Sequence, residues 1–240
     1  MFNKNINKSI DSYLNSDYSK FKKYERINFL INEISRNIDS KKNYELLDIG
    51  CSKGELIYIL KDKFSNINFT GLEYSNELLK IAKNEPFLKD VSFINGDARN
   101  FDIKKKFDFI VMSGVLSIFD EIEAPIKRII NHLKSNGIGL IFGAFNKDDI
   151  DVIIRYKNHY KKSKEWESGW NLFSLNTVEK ILSPFTKKLD IINFKIKRNL
   201  EKKDNPVATY TINIKDSEEK LTLTGGGIVR DFHLIKFIKR

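Results

Sequence analysis

The sequence is poor in the residues that form disulfides or bind metals, with one cysteine and three histidines among 240 residues. The single cysteine, Cys51, excludes an internal disulfide and agrees with a reducing compartment. Histidine, cysteine and acidic residues do not converge at the spacing of metal ligands, so we expect no metal.

Long hydrophobic runs are also missing. No apolar segment approaches the roughly 20 residues that a helix needs to span a bilayer, and residues 1–8 contain no apolar signal core. We therefore expect no membrane partner and a cytoplasmic location. A chain of 240 residues that is 41% hydrophobic is most simply one domain with a sizeable core.

Acidic residues are outnumbered by basic ones, 32 against 42, which gives a net charge of +10. Such an excess is compatible with nucleic acid or with an anionic small substrate. The lysine clusters at 104–106, 161–162 and 187–188 are scattered along the chain, without a basic stripe and interleaved aromatic residues. Lysines spread over the surface explain this pattern better than a nucleic-acid partner does.

A stretch near residue 50 combines the features of a ligand-binding turn. Apolar Leu46 and Leu47 lead to Asp48, and small residues and a new apolar pattern follow. This order predicts a strand, a tight turn and the start of a helix. Gly50 and Gly54 lack a Cβ, so the backbone there can approach a ligand, and free helix N–H groups would point into the same space. An ordinary strand–helix turn has the same pattern, and a glycine pair alone does not exclude it.

Three further predicted strands also end in polar or small residues. The strand at 67–72 ends beside Glu73, where a carboxylate can hold a ribose diol. The strand at 91–94 leads to Asp97, and the strand at 107–112 leads to Ser113 and Gly114. Alternating strands and helices predict an α/β fold with a doubly wound parallel sheet, whose carboxyl edge would bring these residues into one crevice.

Residues 44–145 resemble the class I S-adenosylmethionine (SAM)-dependent methyltransferases. The tail of the chain after the fifth strand resembles the members of this family that act on small molecules. Residues 48–54 resemble the family's acid-x-Gly-x-Gly-x-Gly loop, with Ser52 in place of the middle glycine, and residues 107–110 and 133–137 resemble two later motifs. The resemblance implies a Rossmann-like, mostly parallel seven-stranded sheet. It also implies SAM as cofactor, S-adenosyl-L-homocysteine (SAH) as product, and no metal.

The resemblance further implies which residues bind the cofactor. Glu73 would hold the ribose and Asp97 the adenine amine, while the glycine loop would face the methionine end. The full predicted cofactor-binding set is Asp48, Gly50, Ser52, Gly54, Glu73, Tyr74, Asp97, Ala98, Ser113 and Gly114.

The flanking segments are expected to complete a single methyltransferase domain over residues 1–240, with a helical lid at 1–40, the SAM-binding core at 44–145 and a substrate-side region at 146–240. Helices are predicted at 20–38, 120–134, 149–160 and 176–182, the last capped by Asn176. Strands at 207–214 and 220–224 predict a β-hairpin that is inserted before the last strand and covers the substrate side.

Candidate acceptor-site residues follow the fifth strand. Trp166 and Trp170, with Tyr160, would offer flat apolar walls to a substrate, although both tryptophans could equally anchor a long connection to the core. His159 and His233 are candidate catalytic bases for a hydroxyl acceptor, whereas an amine acceptor needs no base.

The sequence thus predicts SAM-dependent methyl transfer to a small-molecule acceptor, with a sugar or a sugar-linked amino acid of a bacterial glycan or natural product as candidates. The alternatives are an RNA or protein methyltransferase, supported only by the net charge, and a SAM-binding protein without catalysis. The oligomeric state is not indicated by the sequence.

Overall fold

The computed structural model describes residues 18, 24–159 and 165–240. The α-helices are α1 Glu25–Ser35, α2 Glu55–Lys63, α3 Asn76–Asn84, α4 Glu123–His132 and α5 Leu175–Leu182. The strands are β1 Tyr44–Ile49, β2 Ile67–Glu73, β3 Ser92–Asn95, β4 Phe107–Ser113, β5 Leu133–Asn146, β6 Arg155–Tyr156, β7 Glu167–Ser168, β8 Phe173–Ser174, β9 Thr186–Phe194, β10 Thr209–Asn213, β11 Lys220–Thr224 and β12 Asp231–Lys239.

The main sheet has the strand order β3-β2-β1-β4-β5-β12-β9, and the short β8 also pairs with β5. Strands β1 to β5 run parallel to their neighbours, whereas β12 is antiparallel to both β5 and β9. This confirms the predicted Rossmann-like, mostly parallel sheet. The strand order reverses between β1 and β4, which places a crevice at their carboxyl ends, where such sheets bind ligands.

Helices cover both faces of the sheet. One core contains Ile31 of α1 and Leu60 of α2, and the other contains Ile126 of α4 and Val178 of α5. Strands buried on both faces are expected to be almost continuously apolar, as the sequence of β4 is. Among the described residues, no helix is both long and apolar enough to cross a membrane.

Two helices begin with residues that are typical of helix starts. Ser75 caps α3, since its hydroxyl accepts a hydrogen bond of 3.3 Å from the N–H of Leu78. Pro125 lies in the first turn of α4, where the missing N–H costs no helical hydrogen bond.

The predicted helix at 149–160 is wrong in its described part. Val152 instead forms an antiparallel bridge with Leu172, and β6 pairs with β7. Pairing with a segment distant in sequence has overridden the local apolar pattern. The predicted cap of α5 is also wrong. Ser174 caps this helix, because its hydroxyl accepts a hydrogen bond of 3.1 Å from the N–H of Asn176.

The inserted hairpin is confirmed, with β10 and β11 forming a two-stranded sheet of their own between β9 and β12. A hydrogen bond of 3.0 Å from the indole N–H of Trp170 to the carbonyl of Val207 connects the segment before the hairpin to the region after β5. The hairpin is therefore held on the side of the sheet edge where the tryptophan lies.

Candidate functional site

The turn between β1 and α2 needs left-handed backbone at three positions. Gly50, Ser52 and Gly54 have φ angles of +75°, +54° and +85°. A Cβ on Gly50 would lie 2.3 Å from a methyl carbon of Val115, so a larger residue would be strained twice, by its backbone and by this contact. Ser52 stands in a conformation that favours glycine, which is the residue that the family loop has at this position.

Glu73 fixes this turn to the end of β2. One carboxylate oxygen accepts a hydrogen bond of 2.9 Å from the N–H of Ser52, and the other accepts one of 2.9 Å from the N–H of Ser75. Each oxygen can still accept a further hydrogen bond, because an ionised carboxylate has about four acceptor positions. The side chain is therefore held in place and keeps capacity for a diol.

Asp97, at the next strand end, is already paired. Arg99 donates to both of its carboxylate oxygens through its side chain, with a shortest distance of 2.6 Å, and its backbone N–H donates at 2.9 Å. Burial opposes ionisation, but the hydrogen bonds from Arg99 outweigh it and hold the pKa of Asp97 below its ordinary value. The carboxylate is thus charged and fixed at the crevice.

These residues surround what we call the strand-end cleft. It is lined by Ile49, Gly50, Ser52, Leu72, Glu73, Tyr74, Leu78, Gly96, Asp97, Ala98, Ser113, Gly114, Val115, Ile118, Phe119 and Trp170. The predicted cofactor-binding set lines this cleft except for Asp48 and Gly54. The turn after β4, with Val115, Ile118 and Phe119, was not predicted, although an apolar run directly after a strand end is a signal that could have indicated it.

Asp48 and Gly54 lie outside the cleft for different reasons. Asp48 is only 3% exposed, beneath the turn. A Cβ on Gly54 would lie 2.8 Å from Leu88, so this glycine allows close packing of the turn against its neighbours. A direct contact of either residue with the cofactor stays a prediction.

Two buried acids lie under the turn. Burial, with smaller effects of the Glu55 and Glu73 carboxylates, raises the pKa of Asp48 to about 8, and burial raises that of Glu55 to about 7. The positive charge of Arg26, from the first turn of α1, opposes both shifts. The floor of the turn therefore holds two carboxyl groups with raised pKa values, near the cations Arg26 and Lys53.

The fold and this cleft agree with what is found among known proteins. A family model described as a methyltransferase domain matches residues 40–204. The chain belongs to this methyltransferase family. The resemblance stated from the sequence is thereby confirmed, and the match extends beyond the motif-bearing core to the segment between β9 and the hairpin.

Individual relatives of this methyltransferase carry different names. A malonyl-[acyl-carrier protein] O-methyltransferase from Priestia megaterium is 27% identical over 156 residues, which are 63% of this chain and 56% of that protein. A carboxy-S-adenosyl-L-methionine synthase from Nautilia profundicola is 28% identical over 200 residues, which are 79% of this chain and 82% of that protein. The chain thus spans little more than half of the first relative.

Among solved structures, the N-methyltransferase NodS from Bradyrhizobium japonicum WM9, in complex with SAH, has a TM-score of 0.59 at 15% identity. The match covers 97% of each chain. At this identity the likeness concerns the fold alone.

A second cavity, which we call the side chamber, adjoins the strand-end cleft. Ser113, Gly114 and Trp170 line both spaces. The side chamber has a volume of about 480 Å³, within the usual range for small-molecule sites. Its other lining residues are Tyr24, Glu25, Arg26, Ser117, Phe142, Gly143, Phe194, Ile196, Arg198, Leu200, Lys203, Thr209, Arg230 and Phe232.

Trp170 is positioned by its neighbour Asn171, which is fully buried. The Asn171 amide donates to the carbonyl of Phe119 at 2.6 Å and to Asp120 at 3.2 Å, and its oxygen accepts from the N–H of Ile154 at 2.9 Å. These bonds join three separate segments and hold the tryptophan between cleft and chamber. No sequence signal predicted this role of Asn171.

The other predicted acceptor-site residues are not brought together. Trp166 is 65% exposed and lines neither space, although Lys157 lies over its ring at 5.1 Å. Tyr160 falls outside the described residues. A wall role for Trp170 is thus supported by its position, whereas nothing in the position of Trp166 supports one.

Neither candidate base lines the cleft or the chamber. His159 is exposed, whereas His233 lies within β12 and is only 3% exposed. Phe232 lines the chamber, and successive side chains of a strand point to opposite faces, so His233 faces away. Burial lowers the pKa of His233, against the charge of Asp231. The catalytic roles of both histidines stay predictions.

Proposed function

We propose that this methyltransferase transfers a methyl group from SAM in the strand-end cleft to a small-molecule acceptor in the side chamber. The observation that carries the proposal is the boundary of Ser113, Gly114 and Trp170, which belongs to both spaces. A methyl donor on one side and a nucleophile on the other would meet there.

The residues of the cleft fit SAM. The close approach of the backbone at Gly50 and the held carboxylate of Glu73 suit a ligand with a ribose and a charged tail. Glu73 would bind the ribose hydroxyls, Asp97 would face the adenine amine while it keeps Arg99, and Phe119 would cover the adenosine. SAM itself supplies an activated methyl group on a sulfonium, so the protein has to align the reactants and exclude water.

The side chamber would supply that alignment. The Phe142 ring contacts Phe194 edge-on, with 5.2 Å between ring centroids, and stacks on Phe232 at 5.8 Å, so that the three rings form an apolar wall. Trp170 adds a flat face that suits a sugar ring, so a sugar or a sugar-linked amino acid stays a candidate acceptor. With no histidine of the described chain at either space, an amine acceptor, which needs no base, fits best.

The test measures SAH formation by the full chain with SAM and a panel of amines, sugar derivatives and a malonyl thioester, the last because of the name of the Priestia relative. We expect turnover with at least one small acceptor. Trp170→Ala should reduce turnover much more than SAM affinity, while Trp166→Ala, at an exposed tryptophan, should leave both unchanged.

Three results would contradict the proposal. SAM binding without turnover on any acceptor would indicate a binding protein without catalysis. RNA binding with a steep dependence on salt, together with RNA methylation, would indicate the nucleic-acid alternative. Equal losses of SAM affinity and turnover in Trp170→Ala would make this tryptophan a structural anchor.

A further inference from the structure

The side chamber has an uneven charge. Among the described residues that line it, Arg26, Arg198, Lys203 and Arg230 are cationic and Glu25 alone is acidic. The Glu25 carboxylate is already engaged, since its two oxygens accept hydrogen bonds of 3.1 Å from the backbone N–H groups of residues 197 and 198. The acid therefore holds the segment after β9 in place, and the chamber keeps an excess of positive charge.

The guanidinium of Arg198 differs from those of Arg99 and Arg155 in its ion pairing. Arg99 and Arg155 pair with Asp97 and Asp120 at 2.6 Å. Within the described part of the chain, Arg198 forms no such ion pair, and neither does Lys203. A cation that borders a cavity without a carboxylate partner is available to an anionic ligand.

Two of the guanidinium groups are held by aromatic rings. Arg198 lies over Tyr24 at 4.8 Å, and Arg230 lies over Phe232 at 4.9 Å and also donates to the hydroxyl of Thr209 at 3.0 Å. A stacked guanidinium keeps the edge of its plane for hydrogen bonds and loses little freedom on binding. Such a planar edge matches the two oxygens of a carboxylate or phosphate.

The chamber is also selective in size and polarity. One of its walls is the cluster of Phe142, Phe194 and Phe232, so a ligand is met by apolar rings as well as by cations. A pocket of about 480 Å³ suits a small molecule with one anionic end rather than an extended polyanion.

We propose that the acceptor carries a carboxylate or phosphate group, which binds to Arg198 and Arg230 while its nucleophile lies at Ser113 and Gly114. Lys203 and Arg26 add positive charge to the lining of the same chamber, and Arg26 also lies near the buried acids Asp48 and Glu55. This inference rests on the proposed function, because it places the anion in the acceptor chamber, but it can be tested without turnover.

The first experiment uses the full chain saturated with SAH and measures thermal stabilisation by inorganic phosphate and by malonate at constant ionic strength. Saturable stabilisation is expected for at least one of the two anions. Arg198→Gln and Arg230→Gln should each weaken that binding about tenfold or more. Lys215→Gln, which removes an exposed positive charge in the turn between β10 and β11, should not weaken it.

A second measurement identifies the anionic group and guards against misfolding. Glucose, glucuronate and glucose 6-phosphate differ in this group alone. The wild type should bind one of the two charged sugars more tightly than glucose, whereas Arg198→Gln and Arg230→Gln should not. Arg198→Lys keeps the charge but loses the planar edge, so it should retain the fold and part of the affinity.

Three results would overturn the inference. Equal anion effects in the wild type and both arginine variants would mean that the anions act by screening. A tenfold loss of SAM affinity in Arg198→Gln would assign this guanidinium to the cofactor. Tighter binding of neutral than of charged analogues would exclude an anionic acceptor. Anion binding without methyl transfer to any acceptor would leave the anion site standing and remove the proposed function.

Discussion

The strand-end cleft and the side chamber share a boundary but are built in different ways. The cleft is formed mostly by residues at or just after the ends of β1 to β4, which follow each other within about 70 residues of sequence. The side chamber is formed by side chains from the start of α1, from β5, from the segment after β9 and from the hairpin. Only Ser113, Gly114 and Trp170 contribute to both.

The cleft and the chamber therefore depend on individual residues in different ways. A cleft made of strand ends and a tight turn depends on the positions that shape the turn, such as Gly50 and Glu73. A chamber made of side chains can change its shape and charge by substitution without changing the sheet. We therefore expect the two regions to respond independently to mutation, and the following predictions test this independence.

The largest effect is expected for Asn171→Ala. The substitution removes three hydrogen bonds of a fully buried amide and leaves the groups of Phe119 and Ile154 without this partner. The free energy of unfolding should fall by about 2–4 kcal/mol, measured by urea denaturation. The exposed Asn84→Ala should change it little. If SAM affinity fell as much as acceptor turnover, the two regions would not be independent.

Asp48→Asn should change how stability depends on pH. The folded pKa of about 8 exceeds the usual value of 3.8, so the protonated group stabilises the fold, and this contribution is lost as pH rises from 4 through 8. One pKa unit corresponds to about 1.4 kcal/mol, so even half of the shift amounts to about 2–3 kcal/mol.

The check is denaturation of Asp48→Asn and wild type at pH 5 and pH 9. The variant cannot ionise, so its stability should decrease less over this range, whereas the exposed Asp148→Asn should follow the wild type. Parallel pH profiles of Asp48→Asn and wild type would show that the Asp48 carboxyl is not protonated at neutral pH.

Glu73→Ala should weaken SAM binding by about 1.5–3 kcal/mol, because a charged hydrogen-bond partner of the ribose is lost. Isothermal titration calorimetry measures this directly, with Glu77→Ala, an exposed acid in the first turn of α3, as the matched control. Unchanged SAM affinity in Glu73→Ala would show that this carboxylate does not bind the ribose. The role of Glu73 would then be to hold the turn in place.

The smallest effect is expected for Ser52→Gly. Glycine adopts the left-handed backbone of this position without strain, so stability should rise by up to about 1 kcal/mol while SAM affinity is kept. Ser92→Gly, in extended backbone of β3, should instead be slightly destabilising. A loss of stability in Ser52→Gly would show that the serine hydroxyl, 3.4 Å from Glu55, matters more than its backbone conformation.

The side chamber shows where reading the sequence fails. Residues 149–160 carry an apolar spacing that favours a helix, yet the described part pairs with residues 167–172 instead. His233 was a reasonable base by type and position, but its strand directs it to the opposite face from Phe232. Both outcomes depend on pairings between segments that no local pattern specifies.

The sequence by itself determined the mostly parallel sheet, the turn after β1, the place of Glu73 at the end of β2 and the inserted hairpin. Strand periodicity and turn chemistry are local properties, so they can be read from the chain. Only the tertiary structure decided that Arg198, Arg230 and Tyr24 border one chamber and that Asn171 holds Trp170 at its edge. Those contacts arise when β12 pairs with β5 and β9, which joins segments far apart in the chain.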